Sequence, residues 1–272
     1  MADSSLSVAD LSAAADHTNR RTAVLVPRLL AGAIILLTWE LVVRFLAPPF
    51  VAKPSAIVMA IPGVIVDPAF LKAMAQTLAA VVEGLAIALV SGTIIGLVIG
   101  RSVIAERALR LYVHVFYALP MVVVVPLFAL WFGYTSEARL VTVVFASLFS
   151  IIVNVADGAR SVPQDYLEVA RAFRSSALRA MVDVVLPASL PYFLAGFRLA
   201  AGRALIGAVV AEFIIAIGGL GYFILYNSRT FHQNEAFVGV LLLAAFGLGF
   251  EALVAFATRT FLPWYRRDEG GS

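Results

Sequence analysis

The longest polar interruption in this mostly apolar chain, residues 158–191, carries seven charged side chains. The charges are Arg160, Asp165, Glu168, Arg171, Arg174, Arg179 and Asp183. Each Asp or Arg at the centre of a bilayer would cost about 2.5–3.5 kcal/mol, so the segment lies outside the hydrocarbon. Ser161 and Pro163 are helix start signals. Apolar residues then recur at helical spacing as Tyr166, Val169, Ala170 and Phe173, and again as Leu178, Met181, Val182 and Val185.

This periodicity predicts two short amphipathic helices, the second ending at Pro187. Such a hairpin can lie on the membrane surface without a partner or dock on another protein. Periodicity alone leaves both possibilities open.

The residue types that support covalent or metal chemistry are absent or lack the necessary spacing. There is no cysteine, which excludes disulfides, thiolate metal sites and cysteine nucleophiles. The two lysines, Lys53 and Lys72, do not follow glycine, so the chain contains no P-loop. None of the three histidines opens an H-E-x-x-H motif. We therefore expect that the protein is not an enzyme and that it has no catalytic, cofactor-binding or metal-binding residues.

Composition places these residues in a polytopic helical membrane protein. Of 272 residues, 62% are hydrophobic and 14% charged, with a mean hydropathy of +0.96. Apolar runs that can cross a bilayer cover about 28–47, 77–100, 111–133, 138–157, 191–217 and 236–262. We therefore predict an all-α fold with six transmembrane helices. We also expect a disordered tail over 1–27 and a short tail over 263–272. The region 28–70 would contain the first span and an outer loop that follows it.

The distribution of cations predicts the orientation. With the amino terminus inside, thirteen arginines fall in the inner segments and only Lys53, Lys72, Arg139 and Arg229 fall in the outer ones. The positive-inside rule then places both termini and residues 158–190 in the cytoplasm.

Charged residues inside the predicted spans must face protein or water. Among them are Glu83, Arg198, Arg203, Glu212 and Glu251. Pairing that locks helices together is the plainer interpretation. The functional one is that Glu212, on a span dense in small residues, lines or gates a pathway, with Arg203 as a second candidate. Gly84, Gly92, Gly96 and Gly100 form a similar small-residue stripe on the second span, which predicts a close helix contact.

The polar segment resembles the EAA loop of ATP-binding-cassette (ABC) importer permeases. The family pattern is E-A-A, three residues, G, nine residues, I-x-L-P. Here Glu168, Val169 and Ala170 are followed after three residues by Arg174, and after nine more by a run that ends with Leu186-Pro187. Val169 and Arg174 depart from the pattern. Glycine suits a turn with positive φ, a conformation that costs other residues about 1–2 kcal/mol, so Arg174 makes the turn's shape an open question.

The resemblance extends over about 71–262, the expected permease core, and is nearest to permeases for sulfonates, taurine and nitrate. The matching residues include Thr77-Leu78, Gly84, Leu119-Pro120, Leu130-Trp131-Phe132-Gly133, Gly158-Ala159-Arg160, Leu186-Pro187, Gly196, Arg198, Ala211-Glu212 and Gly219-Leu220-Gly221-Tyr222.

The resemblance implies a type I importer in the bacterial inner membrane. Two permeases, identical or paralogous, would form the pathway, and two cytoplasmic ATPase subunits would dock on the EAA-type loop between spans 4 and 5. An extracytoplasmic solute-binding protein would deliver the small solute. The alternative is a secondary transporter driven by an ion gradient, which would favour inverted repeats and broken midplane spans. The sequence reveals neither.

Overall fold

The structure is a computed structural model that describes residues 8–48 and 50–261, with side chains over 27–48 and 50–256. Its elements are helices throughout the described residues. They are α1 (Val8–Leu46), α2 (Pro54–Val66), α3 (Pro68–Arg101), α4 (Val103–Ala118), α5 (Met121–Phe132), α6 (Ser136–Ser161), α7 (Gln164–Ala172), α8 (Ala177–Ala180), a π-helical turn (Met181–Val185), α9 (Leu186–Ala188), α10 (Leu190–Ile215), α11 (Leu220–Arg229) and α12 (Gln233–Phe261).

Within the described residues, five helices are long and apolar enough to cross a membrane, and six if α4 and α5 count together. The five are α1 from Pro27, α3, α6, α10 and α12. The all-α, polytopic fold class is confirmed. The expected tail over 263–272 lies outside the described residues.

The first helix starts earlier than the sequence predicts. Residues 1–27 are expected to be disordered, but α1 already begins at Val8. Residues 8–16 (VADLSAAAD) include four alanines and a leucine, which have the highest helix propensities. Residues 1–7 lie outside the described part of the chain.

The third predicted span, 111–133, is not one straight helix. It divides into α4 and α5, whose axes differ by 101°. The break falls at Leu119-Pro120, because proline has no N–H to continue the helical hydrogen bonds and disfavours helical backbone at the residue before it. Glu106 on α4 accepts a hydrogen bond from Arg160 at the end of α6 at 2.8 Å, which holds α4 against the bundle.

α6 lies at the centre of the bundle, between α3 and α10. The glycine stripe of α3 faces it, as the sequence predicts. A Cβ atom at Gly84 would meet Val143, and one at Gly92 would meet Ile151. In the same way Gly96 faces Val155 and Gly100 faces Ala159. The partner number rises with the glycine number, so α3 and α6 run parallel.

α10 crosses the other side of α6 in the opposite direction. Gly196 meets Asn154, whereas Gly207 meets Ala146. The small residues of α10 that make this contact are buried, among them Ala200, Ala204, Ala208 and Ala211. Small side chains allow this close approach, so the register of three helices depends on them. Gly202 departs from the stripe and is exposed.

The close approach of α3 to α6 predicts the effect of enlarging one glycine. In Gly96→Ala the new methyl would lie 2.8 Å from Val155 Cβ and 3.0 Å from the Ile152 carbonyl. Overpacking of this kind costs about 1–3 kcal/mol, so we expect a lower melting temperature for the detergent-solubilised protein. Gly32→Ala on α1 is the matched control, because no atom lies within 4 Å of its Cβ position. Equal melting of both variants would contradict the α3–α6 packing.

Candidate functional site

The polar interruption folds as a two-helix segment, defined here as Val162–Ser189, at the end of the bundle where α6 stops and α10 begins. One face packs on the bundle. Its buried residues Leu167 and Val185 contact Val162 and Ala159, with Leu97 of α3 alongside. This contact orients both short helices relative to α6.

The opposite face of the two-helix segment exposes large apolar side chains. Their exposed fractions are 57% for Tyr166, 55% for Val169, 81% for Phe173, 75% for Leu178 and 52% for Val182. Exposed apolar clusters of this kind are typical of surfaces that contact a protein partner or a membrane.

The contact with the bundle leaves most of the predicted apolar face of the first helix exposed. Of the four residues assigned to it, only Ala170 is buried, because Leu167 occupies the inner position one turn earlier. Glu168 is exposed, as is its neighbour Val169. The acidic group and the apolar side chains are thus available together on the outer surface.

Arg174 adopts the left-handed conformation that glycine would favour, with φ of 52°. It closes α7 in a Schellman motif: Ser175 N donates to the Ala170 carbonyl at 3.0 Å and Arg174 N donates to the Arg171 carbonyl at 2.8 Å. The turn therefore has the backbone conformation that glycine favours, and Arg174 adopts it at a steric cost.

Pro187 does not end the second helix, contrary to the prediction. The chain remains helical from Ala177 to Ala188 through the π-helical turn, where Leu186 N donates to Met181 O, five residues back. The widened turn rearranges the hydrogen bonds next to the proline, which lacks an N–H. Leu186 is half-buried and Pro187 is exposed.

Glu212 occupies a fully buried polar site at the opposite end of the bundle. Thr77 of α3 donates its hydroxyl to the carboxylate at 2.8 Å, and Arg139 of α6 donates Nη1 at 3.2 Å. The amide of Gly221 adds a hydrogen bond of 2.8 Å. The carboxylate thus joins α3, α6 and the start of α11 to α10.

Glycines wrap the Glu212 carboxylate. Gly219 has φ of 149°, and a side chain there would overlap the carboxylate itself. A Cβ on Gly221 would lie 2.9 Å from Glu212 Cβ. Arg139 also donates to the Gly218 carbonyl at 2.6 Å. The 218–221 turn therefore encloses the ion pair and is tied to it.

This geometry favours the helix-locking interpretation of Glu212 over a pathway role. The sequence identifies Glu212 but not its partners, because Arg139 falls among the cations of the predicted outer segments. The nearest signal was a Gly-Gly-Leu-Gly run six residues after Glu212.

The remaining charges within spans are not brought to this site. Glu83, Arg198 and Glu251 are exposed, and Arg203 is half-buried. Arg203 donates Nη1 to the Tyr117 carbonyl at 3.3 Å, close to the break between α4 and α5. No three His, Asp or Glu residues within the described side chains come together to hold a metal ion.

A protein-family model described as "Binding-protein-dependent transport system inner membrane component" matches residues 92–267. The chain belongs to this family. The chain is also 30% identical over 237 residues to a formylaminopyrimidine transport permease of Halalkalibacterium halodurans, covering 86% of this chain and 94% of the relative.

Two further relatives are permeases of the same kind. A nitrate import permease of Leptolyngbya laminosa is 28% identical, covering 93% of this chain and 92% of its own. A putative aliphatic sulfonates transport permease of Bacillus subtilis is 33% identical, covering 66% and 65%. The resemblance found in the sequence is confirmed.

The fold agrees with that of solved ABC transporters. An inward-facing structure of the MetNI methionine transporter matches with a TM-score of 0.59 and 19% identity, covering 72% of this chain and 95% of that chain. The permease is thus a multi-pass inner-membrane protein of an ABC importer.

The strained turn predicts that this permease tolerates the residue typical of its family. Arg174→Gly keeps the left-handed conformation and relieves its steric cost, about 1–2 kcal/mol for a non-glycine residue. We expect the two-helix segment to be protected more strongly against amide hydrogen exchange. Greater exchange in the variant would contradict the assignment of strain to this position.

The buried ion pair predicts a large effect of removing one partner. Glu212→Gln strands the Arg139 charge, which costs about 3–5 kcal/mol and lowers the melting temperature. Replacing both residues by glutamine should cost less than the sum of the single changes. Glu83→Gln is the control, since Glu83 is exposed on α3. Unchanged stability with impaired solute uptake in Glu212→Gln would instead support a pathway role.

Proposed function

We propose that this permease couples ATP hydrolysis by partner ATPase subunits to alternating access, importing a small organic or anionic solute. The observation that carries the proposal is the exposed apolar face of the two-helix segment, with Glu168 beside it. The chain itself hydrolyses no nucleotide in this proposal. It converts closure of the ATPases into movement of its helices.

The arrangement of charges supports a cytoplasmic position for the two-helix segment. Arg160, Arg171, Arg174 and Arg179 lie in or next to it. Under the positive-inside rule, this end of the bundle and both termini face the cytoplasm, where ATPase subunits reside. The Glu212 site then lies at the outer end.

The proposed assembly contains two ATPase subunits, a second permease copy or a paralogue, and an extracytoplasmic solute-binding protein. α10 exposes Leu199 and Ile206 away from α6, with 51% and 59% of their surfaces accessible. These side chains are available to a second permease or to a pathway between the two. The relatives are named for nitrate, aliphatic sulfonates and formylaminopyrimidine, which supports a small solute that is anionic or organic.

The alternative is a secondary transporter, which the family match argues against but which one structural feature would suit. The α4–α5 break gives the broken span that such transporters use, which the sequence did not reveal. In liposomes, the lone permease should show no uptake under a proton or sodium gradient. Gradient-driven uptake would favour this candidate over the importer.

Two substitutions on the exposed face test ATPase docking. Phe173→Ser removes an aromatic anchor whose burial contributes about 1.5–3 kcal/mol, so affinity for the ATPase should fall at least about tenfold. Glu168→Ala should weaken docking by about 2–5 kcal/mol if the acid pairs in a desolvated contact, and by under about 1 kcal/mol if it stays exposed. Co-purification of the ATPase and ATPase activity in proteoliposomes measure both.

Phe231→Ser is the matched control, an exposed phenylalanine at the opposite end of the bundle. Phe231 exposes 69% of its surface, against 81% for Phe173. The control should retain the ATPase, and all variants should insert normally. Equal ATPase binding by Phe173→Ser, Glu168→Ala and the control would overturn the proposed docking face.

A further inference from the structure

Arg203 lies at the middle of the α10 span. α10 runs 26 residues, from Leu190 to Ile215, and Arg203 is about 20 Å from either end at ~1.5 Å per residue. A charged side chain at this depth is costly unless it faces protein or a water-filled space, and such residues mark solute and ion pathways.

The end of α4 holds the guanidinium in place. Nη1 donates to the Tyr117 carbonyl at 3.3 Å, and the guanidinium carbon lies 3.9 Å from the centre of the Tyr117 ring. Carbonyls at a helix C-terminus carry partial negative charge, and an aromatic face attracts a cation. The helix break therefore positions Arg203 without neutralising it.

No acidic group lies within ion-pair distance of Arg203 among the described side chains. Arg139, the buried arginine at the outer end, pairs with Glu212, whereas Arg203 forms no ion pair within residues 27–48 and 50–256. One of its five N–H groups is used on Tyr117, which leaves donors for another acceptor.

Arg203 lines a large cavity between α10 and α12. Its volume is about 1120 Å³, and its charged lining residues are Arg198, Arg203 and Glu251. The Phe197 and Phe250 rings contact each other with 6.0 Å between their centres, so the residues that follow them, Arg198 and Glu251, lie at a similar depth. Two arginines and one glutamate thus give the lining a net positive charge.

We propose that Arg203 is the anion-binding group of the solute pathway, and that it binds a carboxylate, sulfonate or similar oxyanion of the transported solute. A planar guanidinium suits such groups because it can donate two parallel hydrogen bonds. The otherwise apolar cavity takes the organic part of the solute. The inference rests on the proposed function and adds the solute's chemical class.

The absence of cysteine allows a test that needs neither the solute nor the ATPase. Gly202 lines the same cavity and has no atom within 4 Å of its Cβ position, so Gly202→Cys adds one thiol beside Arg203. Full-length protein in proteoliposomes is labelled with an anionic sulfonatoethyl or a cationic trimethylammonioethyl methanethiosulfonate. Gly63→Cys on exposed α2 normalises the intrinsic reagent rates.

We expect the anionic reagent to be favoured at position 202, and Arg203→Gln to lower the normalised anion-to-cation rate ratio at least about tenfold. Arg203→Lys should retain most of the preference, since it keeps the charge. Millimolar methanesulfonate should slow labelling only when Arg203 is present. Arg198→Gln should change the ratio much less.

Two outcomes would overturn the proposal: no labelling of Gly202→Cys by either reagent, or a rate ratio indifferent to Arg203→Gln. The assay uses the permease alone, so the labelling rates can be measured and interpreted even if the ATPase fails to dock. A preference that survives while the ATPase does not bind would support the anion site and contradict the proposed docking of the ATPase.

Discussion

The close approach of α6 to α3 on one side and to α10 on the other is the constraint on which the rest of the structure depends. Glycines and alanines allow it, since bulkier side chains would separate the backbones. The two contacts fix α3 parallel and α10 antiparallel to α6. The register then brings Thr77, Arg139 and Glu212 to one end and Leu97, Ala159 and Val185 to the other. Both functional regions therefore follow from one packing arrangement.

Elements with a strong local signal were predictable from the sequence. Long apolar runs gave the spans, and the glycine stripe of α3 correctly indicated a helix contact. The two short helices also follow from periodicity, but which of their faces packs inward does not. Leu167 falls between the apolar positions of the first helix, and only the contact with Val162 and Val185 makes it the inner residue.

Long-range partners were beyond reach for a related reason. Arg139 lies 73 residues from Glu212, and the charge of each is visible in sequence only as an isolated ionisable group. The bend at Leu119-Pro120 had a local cause, yet the flanking apolar residues form a run long enough to span as one helix. Proline permits a break, whereas packing decides whether the chain bends there by 101°.

Arg174 shows that this turn forms without the glycine that is typical of the family. The Schellman motif satisfies carbonyls at the end of α7 through backbone N–H groups, which every residue except proline supplies. Glycine lowers the cost of the left-handed conformation but is not needed for the hydrogen bonds. The two-helix segment is also held by Leu167 and Val185 on the bundle, so packing can offset the local strain.

Two arginines of the same bundle illustrate how environment assigns a role to a charge. Arg139 is enclosed with Glu212, and a glycine turn shapes the enclosure; its charge is used to hold helices together. Arg203 has a helix end and an aromatic face instead of a carboxylate, beside a cavity. An ion already paired in a dry site has little capacity for a further ligand, whereas a positioned but unneutralised one retains it. The distinction rests on the partner rather than on depth in the membrane, which is why an inventory of intramembrane charges could name both Glu212 and Arg203 as pathway candidates without separating them.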